Sequence, residues 1–345
     1  MSNHQQCALC LERPADKTGS HIIPHFLLKS MVNERGKDIC LKTGVFTEPF
    51  IGREVLPEKI EEIMGRELSD EDLLKNKSHY TQDYFLCTTC EKRFGEIETY
   101  YSTYGVNLNS TEGNLTTTKA QSDLSCLFWY SVLWRASVTR LLNFKLDPNH
   151  EEIVRRVLNA NLNLSIETTK QNIKDKSTLF GLQYAILIKE GNENPTNTLT
   201  MLHPTFTFPY TFIINNYIIL FFLSHPQSQI NESKDLVTFN NPVDLNPAYQ
   251  YNEKITLINK TVWDQFIADS IEFLTIQRIA LAGNEINDIL NEINLKVSND
   301  IKLKIANEIL IEFMSNNDPI GVCYSNEKLR NISLHVIAKY QSNIE

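Results

Sequence analysis

Two cysteine pairs, Cys7-Ala-Leu-Cys10 and Cys87-Thr-Thr-Cys90, constrain this chain more than anything else in it. Two residues between cysteines let a tight turn aim both thiolates at one ion, so the two pairs together can complete a tetrahedral Zn²⁺ shell. Four sulfurs close that shell, the zinc is then structural, and any chemistry must lie beside it. That directs attention to the stretch between the pairs, and within it to His21 in Ser20-His21-Ile22-Ile23-Pro24, where the chain bends at the proline.

Composition narrows the class. With 42% hydrophobic and 22% charged residues over 345 positions, the chain reads as an ordinary soluble protein of two or three domains. Met1 to Gln6 carry no basic, apolar leader, so a cytoplasmic location is expected, and there paired cysteines read as metal ligands rather than disulfides. The net charge of -9 argues against a general nucleic-acid coater, because non-specific affinity comes from Lys and Arg on phosphates, but it leaves a local basic groove open. The most apolar stretch, Phe212 to Leu223, is interrupted by Asn215 and Asn216 and falls short of the roughly 20 residues a membrane span needs, so it reads as a buried strand pair. No Walker loop, dinucleotide glycine fingerprint or Gly-x-Ser-x-Gly elbow is present, so kinase, dehydrogenase and serine-hydrolase readings have no support.

In chain order, residues 1–105 form the metal module. Ser20 to Leu28 reads as a short strand passing through Pro24 into a helix or loop. Residues 30–80 are an insertion with a short helix at Glu58 to Met64, and Glu91 to Tyr101 is helical, with Phe94, Ile97 and Tyr101 on one face. The Asn-, Thr- and Ser-rich stretch from Gly105 to Ser122 marks a polar linker or exposed hairpin and a domain boundary. Residues 123–144 predict an apolar helix around Trp134 with Arg135 and Arg140 in it, and Asp147-Pro148-Asn149 starts a second one. Residues 181–258 hold an antiparallel sheet insertion, with Asn215-Asn216 as a two-residue hairpin turn. Three helices follow, over 261–282, 284–314 and 325–340, the second broken near Ser298-Asn299-Asp300.

The residues of the metal module resemble the HNH (His-Asn-His) endonuclease superfamily, the ββα-metal nucleases, in the versions braced by zinc between two CxxC knuckles. The resemblance covers residues 7–101 and rests on Cys7 and Cys10, on Ser20-His21-Ile22-Ile23-Pro24, and on Cys87 and Cys90 opening a helix. It implies that His21 is the general base that activates water against a phosphodiester, a task suited to an imidazole with a pKa near 6.5. It also implies a catalytic Mg²⁺ or Mn²⁺, distinct from the structural zinc and held by oxygen or imidazole ligands. The family's carboxylate before the histidine is here Ser20, its His or Asn after the last cysteine is here Glu91, and its middle Asn falls near Gln82 or Asp83. Glu96, Glu98, His25 and His79 are weaker alternatives as bases or ligands.

The expected fold is α+β: a zinc-braced, treble-clef-like ββα-metal module, then a mostly helical domain over 123–345 with a small antiparallel sheet. The expected function is a metal-dependent DNA endonuclease, by size and layout resembling effectors of bacterial defence or mobile-element systems. Residues 123–345 would recognise the substrate, a protein partner or an activating ligand, and no membrane partner is expected. The alternative is a zinc-stabilised binding adaptor that keeps the scaffold without activity, which suits Ser20 and the acidic balance. Trp129, Trp134 and Arg135 read either as a stacking platform or, more commonly, as core. Arg155, Arg156, Lys170, Lys174 and Lys176 read either as a phosphate-tracking face or as a solvated helix face.

Overall fold

The computed structural model describes residues 5–29, 39–43, 47–51, 55–56, 81–106, 116–173, 181–191, 198–202, 209–223, 243–246, 252–293, 297–315 and 326–341, with a few single positions besides. Lys174, Lys176, His79 and most of the helix expected at Glu58 to Met64 lie outside the described residues.

The elements run in this order: β1 (Ser20–His21), α1 (His25–Lys29), β2 (Ile39–Thr43), β3 (Thr47–Ile51), β4 (Thr81–Gln82), α2 (Thr88–Tyr104), β5 (Thr117–Gln121), α3 (Ser122–Val138), α4 (Pro148–Asn161) and α5 (Ile166–Asn172). Then come β6 (Leu182–Lys189), β7 (Thr198–Leu202), β8 (Tyr210–Ile214), β9 (Tyr217–Leu223), β10 (Asn252–Lys254), β11 (Thr256–Ile258), α6 (Lys260–Glu292), α7 (Asn299–Ser315) and α8 (Asn326–Gln341). The fold is mixed α and β.

Helix α3 is the centre. From Leu124 to Ser137 every residue is buried, so the helix has no solvent face; most of its polar groups find partners inside, while Ser125 Oγ and Trp134 Nε1 find none among the described residues. Against one side lies α2, which presents Cys90, Phe94, Ile97 and Tyr101 at helical spacing. Phe94 stacks on Trp134, and Tyr101 stacks on Phe128 with ring centroids 4.0 Å apart. Trp129, Trp134 and Arg135 are therefore interior groups and offer no platform to a ligand. Leu9, Ile23 and Phe94 of the N-terminal part belong to the same apolar cluster as Trp134, Leu158 and Phe212, so one core runs beneath both halves of the chain.

Behind α3 stands a seven-stranded sheet of order β11-β6-β9-β8-β7-β2-β3. Its β8–β9 strands are buried on both faces, which explains the near-continuous apolar run there. The period of two still sorts it: Phe212, Ile219 and Phe221 face the α3 core, while Ile213, Ile218 and Leu220 face a second core with Trp263 and Phe266 of α6. The hairpin turns at Asn215, whose φ of 51° is left-handed, a conformation asparagine tolerates.

Two expectations are corrected. The sheet is antiparallel through β6, β9, β8 and β7 and again between β2 and β3, but β11 pairs with β6, and β2 with β7, in parallel, so it is mixed. The break expected before residue 284 does not occur: α6 is one helix of 33 residues running through Gly283. A single mid-helix glycine costs only about 1 kcal/mol. Both halves of this helix are anchored, the first on the sheet through Trp263, Phe266 and Leu274, and the second by Ala282, Ile286 and Ile289 in a three-helix core with α7 and α8. The polar stretch before α3 ends in β5, which pairs with β10. Among the described residues no helix is long and apolar enough to cross a membrane.

Candidate metal centre and the groups beside it

The first cysteine pair sits in a tight turn. The Leu11 amide donates to the Cys7 carbonyl at 2.9 Å, and the Cys7 amide donates to the Arg13 carbonyl at 2.8 Å. Leu11 has a φ of 59°, so the turn closes by taking a branched, exposed residue left-handed. The second pair opens α2, with Cys87 as its N-cap in extended conformation. No side chain of that cap closes the helix; instead Asp16 Oδ1 accepts from the Thr88 amide at 2.7 Å and from Thr88 Oγ1 at 3.2 Å, which ties the segment after the first pair to the start of the second. The Ala8 amide donates to the Phe85 carbonyl and adds a further tie between the two pairs.

These bonds bring Cys7, Cys10, Cys87 and Cys90 together, with every sulfur within 4.8 Å of the others and none in a disulfide. The edge of a tetrahedron with Zn–S near 2.3 Å is roughly 3.8 Å, so the set is the right size for one ion. Four buried cysteines can hold a metal here. A hydrogen bond between the Cys7 and Cys90 thiols pulls Cys7 down, while that bond and burial push Cys90 up. Three arginines face the sulfur-rich turn: Arg13 bonds Cys87, Arg93 Nη1 is 3.8 Å from Cys90 Sγ, and Arg155 Nη1 donates to the Leu9 carbonyl at 2.8 Å. Arg93 also closes the C-terminus of α4 through the carbonyls of Leu158, Asn159 and Leu162.

Beside the cysteines lies the short pair of β1 and β4, antiparallel, with Ser20 opposite Gln82 and His21 opposite Thr81. Asp83 Oδ1 accepts from the Gly19 amide at 2.6 Å, which fixes the entry to β1, and Gly19 takes the left-handed φ of 65° that this turn requires. Ser20 is wholly buried, and Glu91, one turn into α2, has its carboxyl against it. The serine hydroxyl is near enough to favour the ionised carboxylate, yet neither Ser20 Oγ nor Glu91 Oε2 completes a hydrogen bond. Burial raises the Glu91 carboxyl, opposed by Ser20 and by the charge of Arg135. His21 is half-buried, its ring 6.5 Å from that of the exposed His25.

Of the residues singled out in the sequence, the structure thus brings together the four cysteines, and separately Ser20 and Glu91. Glu96 is exposed. Arg155 and Arg156 both bond Glu152, and Lys170 bonds Glu167, so these cations are paired on their own helices. The sequence did not disclose that Arg135 reaches this site: its Nη1 donates to the His21 carbonyl at 2.8 Å and to Glu98 Oε1 at 2.5 Å. The available signal was a lone charge within an apolar helix, which demands a partner.

Compared with protein-family models, with curated proteins and with solved structures, the chain matches none.

Proposed function

We propose that the chain is a metal-dependent endonuclease of the HNH-like kind, hydrolysing phosphodiester bonds in DNA, with zinc in the four-cysteine site as its structural brace. The observation that supports this reading is the pair of buried oxygens without hydrogen-bond partners, Ser20 Oγ and Glu91 Oε2, set beside His21 on two short strands and a helix. Buried polar atoms are rarely left unpaired, and two such oxygens on neighbouring side chains suit a hard divalent cation such as Mg²⁺ or Mn²⁺. Ser20 and Glu91 would hold that ion; when bound, it would polarise a phosphoryl oxygen and offset the charge that builds on it. His21, half-exposed at the end of β1, would take the proton from the attacking water. Glu91 carries the ligand role and the cysteines only hold the frame.

Plasmid nicking by the purified full chain in Mg²⁺ and in Mn²⁺ tests this. His21→Ala should lower the rate by about 10² to 10⁴-fold while zinc content and thermal stability stay at wild type. Glu91→Gln should lose cutting and regain part of it in excess Mn²⁺, which His21→Ala cannot do. Full-rate cutting by His21→Ala rejects the assignment of the base. A wild-type chain that carries zinc and never nicks DNA leaves the adaptor reading.

A further inference from the structure

We propose that Arg135 is a positioning residue for this site: from α3 it holds the backbone at His21, and so the aim of the imidazole. This rests on the reading of His21 as the base. The argument starts from the weakness of β1, a strand of two residues paired only with the two of β4. So short a ladder cannot fix a side chain by itself. The group that completes it comes from 114 residues further along the chain.

Arg135 is 1% exposed and all three nitrogens of its guanidinium are engaged. Nε donates to the Ser131 carbonyl at 3.2 Å, Nη2 to Ser131 Oγ at 3.3 Å, and Nη1 to both the His21 carbonyl and Glu98 Oε1. Its carbon centre lies 4.9 Å from the centroid of the Phe94 ring. The planar fork is therefore held by its own helix on one side and by α2 on the other, leaving one donor direction for β1. Glu98 and Glu91 leave α2 seven residues apart, two turns along one face, so a single rigid helix sets both the arginine's anchor and the carboxylate beside Ser20. An interior cation that merely filled space would be better replaced by an apolar residue. Here three bonds, to Ser131 and Glu98, lock the guanidinium so that the fourth reaches the one carbonyl whose residue carries the candidate base.

The test uses the full chain with Arg135→Gln, Arg135→Lys and Glu98→Gln, each checked for zinc content and for folding by circular dichroism. Two readouts are taken: nicking kinetics, and the His21 imidazole Cε1–H signal by NMR, assigned by its disappearance in His21→Ala. Arg135→Gln should lower kcat about 10 to 100-fold with KM near wild type, as misplacement of a reacting group does, and should broaden or split the His21 signal. Arg135→Lys, which keeps the charge and a single donor nitrogen in place of the fork, should recover part of both. A folded, zinc-bound Arg135→Gln with wild-type kcat and an unchanged His21 signal overturns the proposal. If Arg135→Gln does not fold, Glu98→Gln decides: a broadened signal and lowered kcat with zinc retained support it, and wild-type behaviour in both overturns it. If the wild-type chain never nicks DNA, the nuclease reading fails, and the His21 signal alone decides whether Arg135 positions this residue.

Discussion

Glu253, a carboxyl with no exposure at all, accepts hydrogen bonds from Tyr184 at 2.7 Å, Tyr101 at 2.9 Å, Thr118 at 3.0 Å and Trp129 at 3.3 Å. Those four donors come from β6, α2, β5 and α3, so one side chain on β10 ties together every layer around the core. Burial raises the carboxyl from an ordinary 4.5 to about 7, against the pull of its donors; the two tyrosines, also pushed up by burial, stay neutral. Since the folded value lies above the unfolded one, the fold holds the proton more tightly than the unfolded chain does. The stability from this group is full below about pH 4.5, falls as pH rises through about 7, and is flat above that. The total change is about 3 kcal/mol. Urea midpoints measured from pH 5 to pH 8 should fall with pH, and Glu253→Gln, which cannot ionise, should flatten that slope. A slope unchanged in Glu253→Gln would place its origin elsewhere. Neither this residue nor Arg135 was legible as a hub in the sequence, because a single Glu or Arg shows its partners only once distant elements are packed. The cysteines were legible because their chemistry is written in local spacing.

Among the elements, α6 allows two opposed tests in one helix. Asn259 caps it, accepting from the Val262 amide at 2.9 Å, and Asn259→Ala should cost about 1 kcal/mol. Gly283 has helical neighbours, and a Cβ added there meets nothing within 4 Å, so Gly283→Ala should gain about 0.5–1 kcal/mol. Denaturant midpoints should move in opposite directions; a loss in Gly283→Ala would mean that the glycine serves close packing. The same helix shows why its extent could not be read from sequence: glycine is a punctuation mark, and only the cores at both ends of α6 override it. The start of α4 was plain, since Asp147 accepts from the Asn149 amide and Pro148 fixes the first turn. The strands β2 and β3 gave no pattern within a charged, glycine-punctuated insertion, and their place is set by long-range pairing with β7.

At the scale of the molecule, the shared core makes a definite claim about the first hundred residues. Phe94, Ile97 and Tyr101 are covered by α3, and Leu9 and Arg155 join the cysteine turn to α4. A fragment of residues 1–106 should expose that face, fail to fold and hold no stoichiometric zinc, because metal affinity of such a site is largely folding free energy. Metal analysis and circular dichroism of the fragment check it; a folded fragment with one zinc would show that the cysteine frame stands without α3. The parallel pairing of β2 with β7 has a consequence in time. Leu41 leaves the ribosome roughly 150 residues ahead of Thr198, its partner, which at about 5–20 residues per second is a delay of roughly 8 to 30 s. For that interval the β2–β3 hairpin has both outer edges open and no sheet to join, and an open edge is what other chains pair with. This hairpin therefore depends on being shielded during synthesis until the strand that will receive it exists.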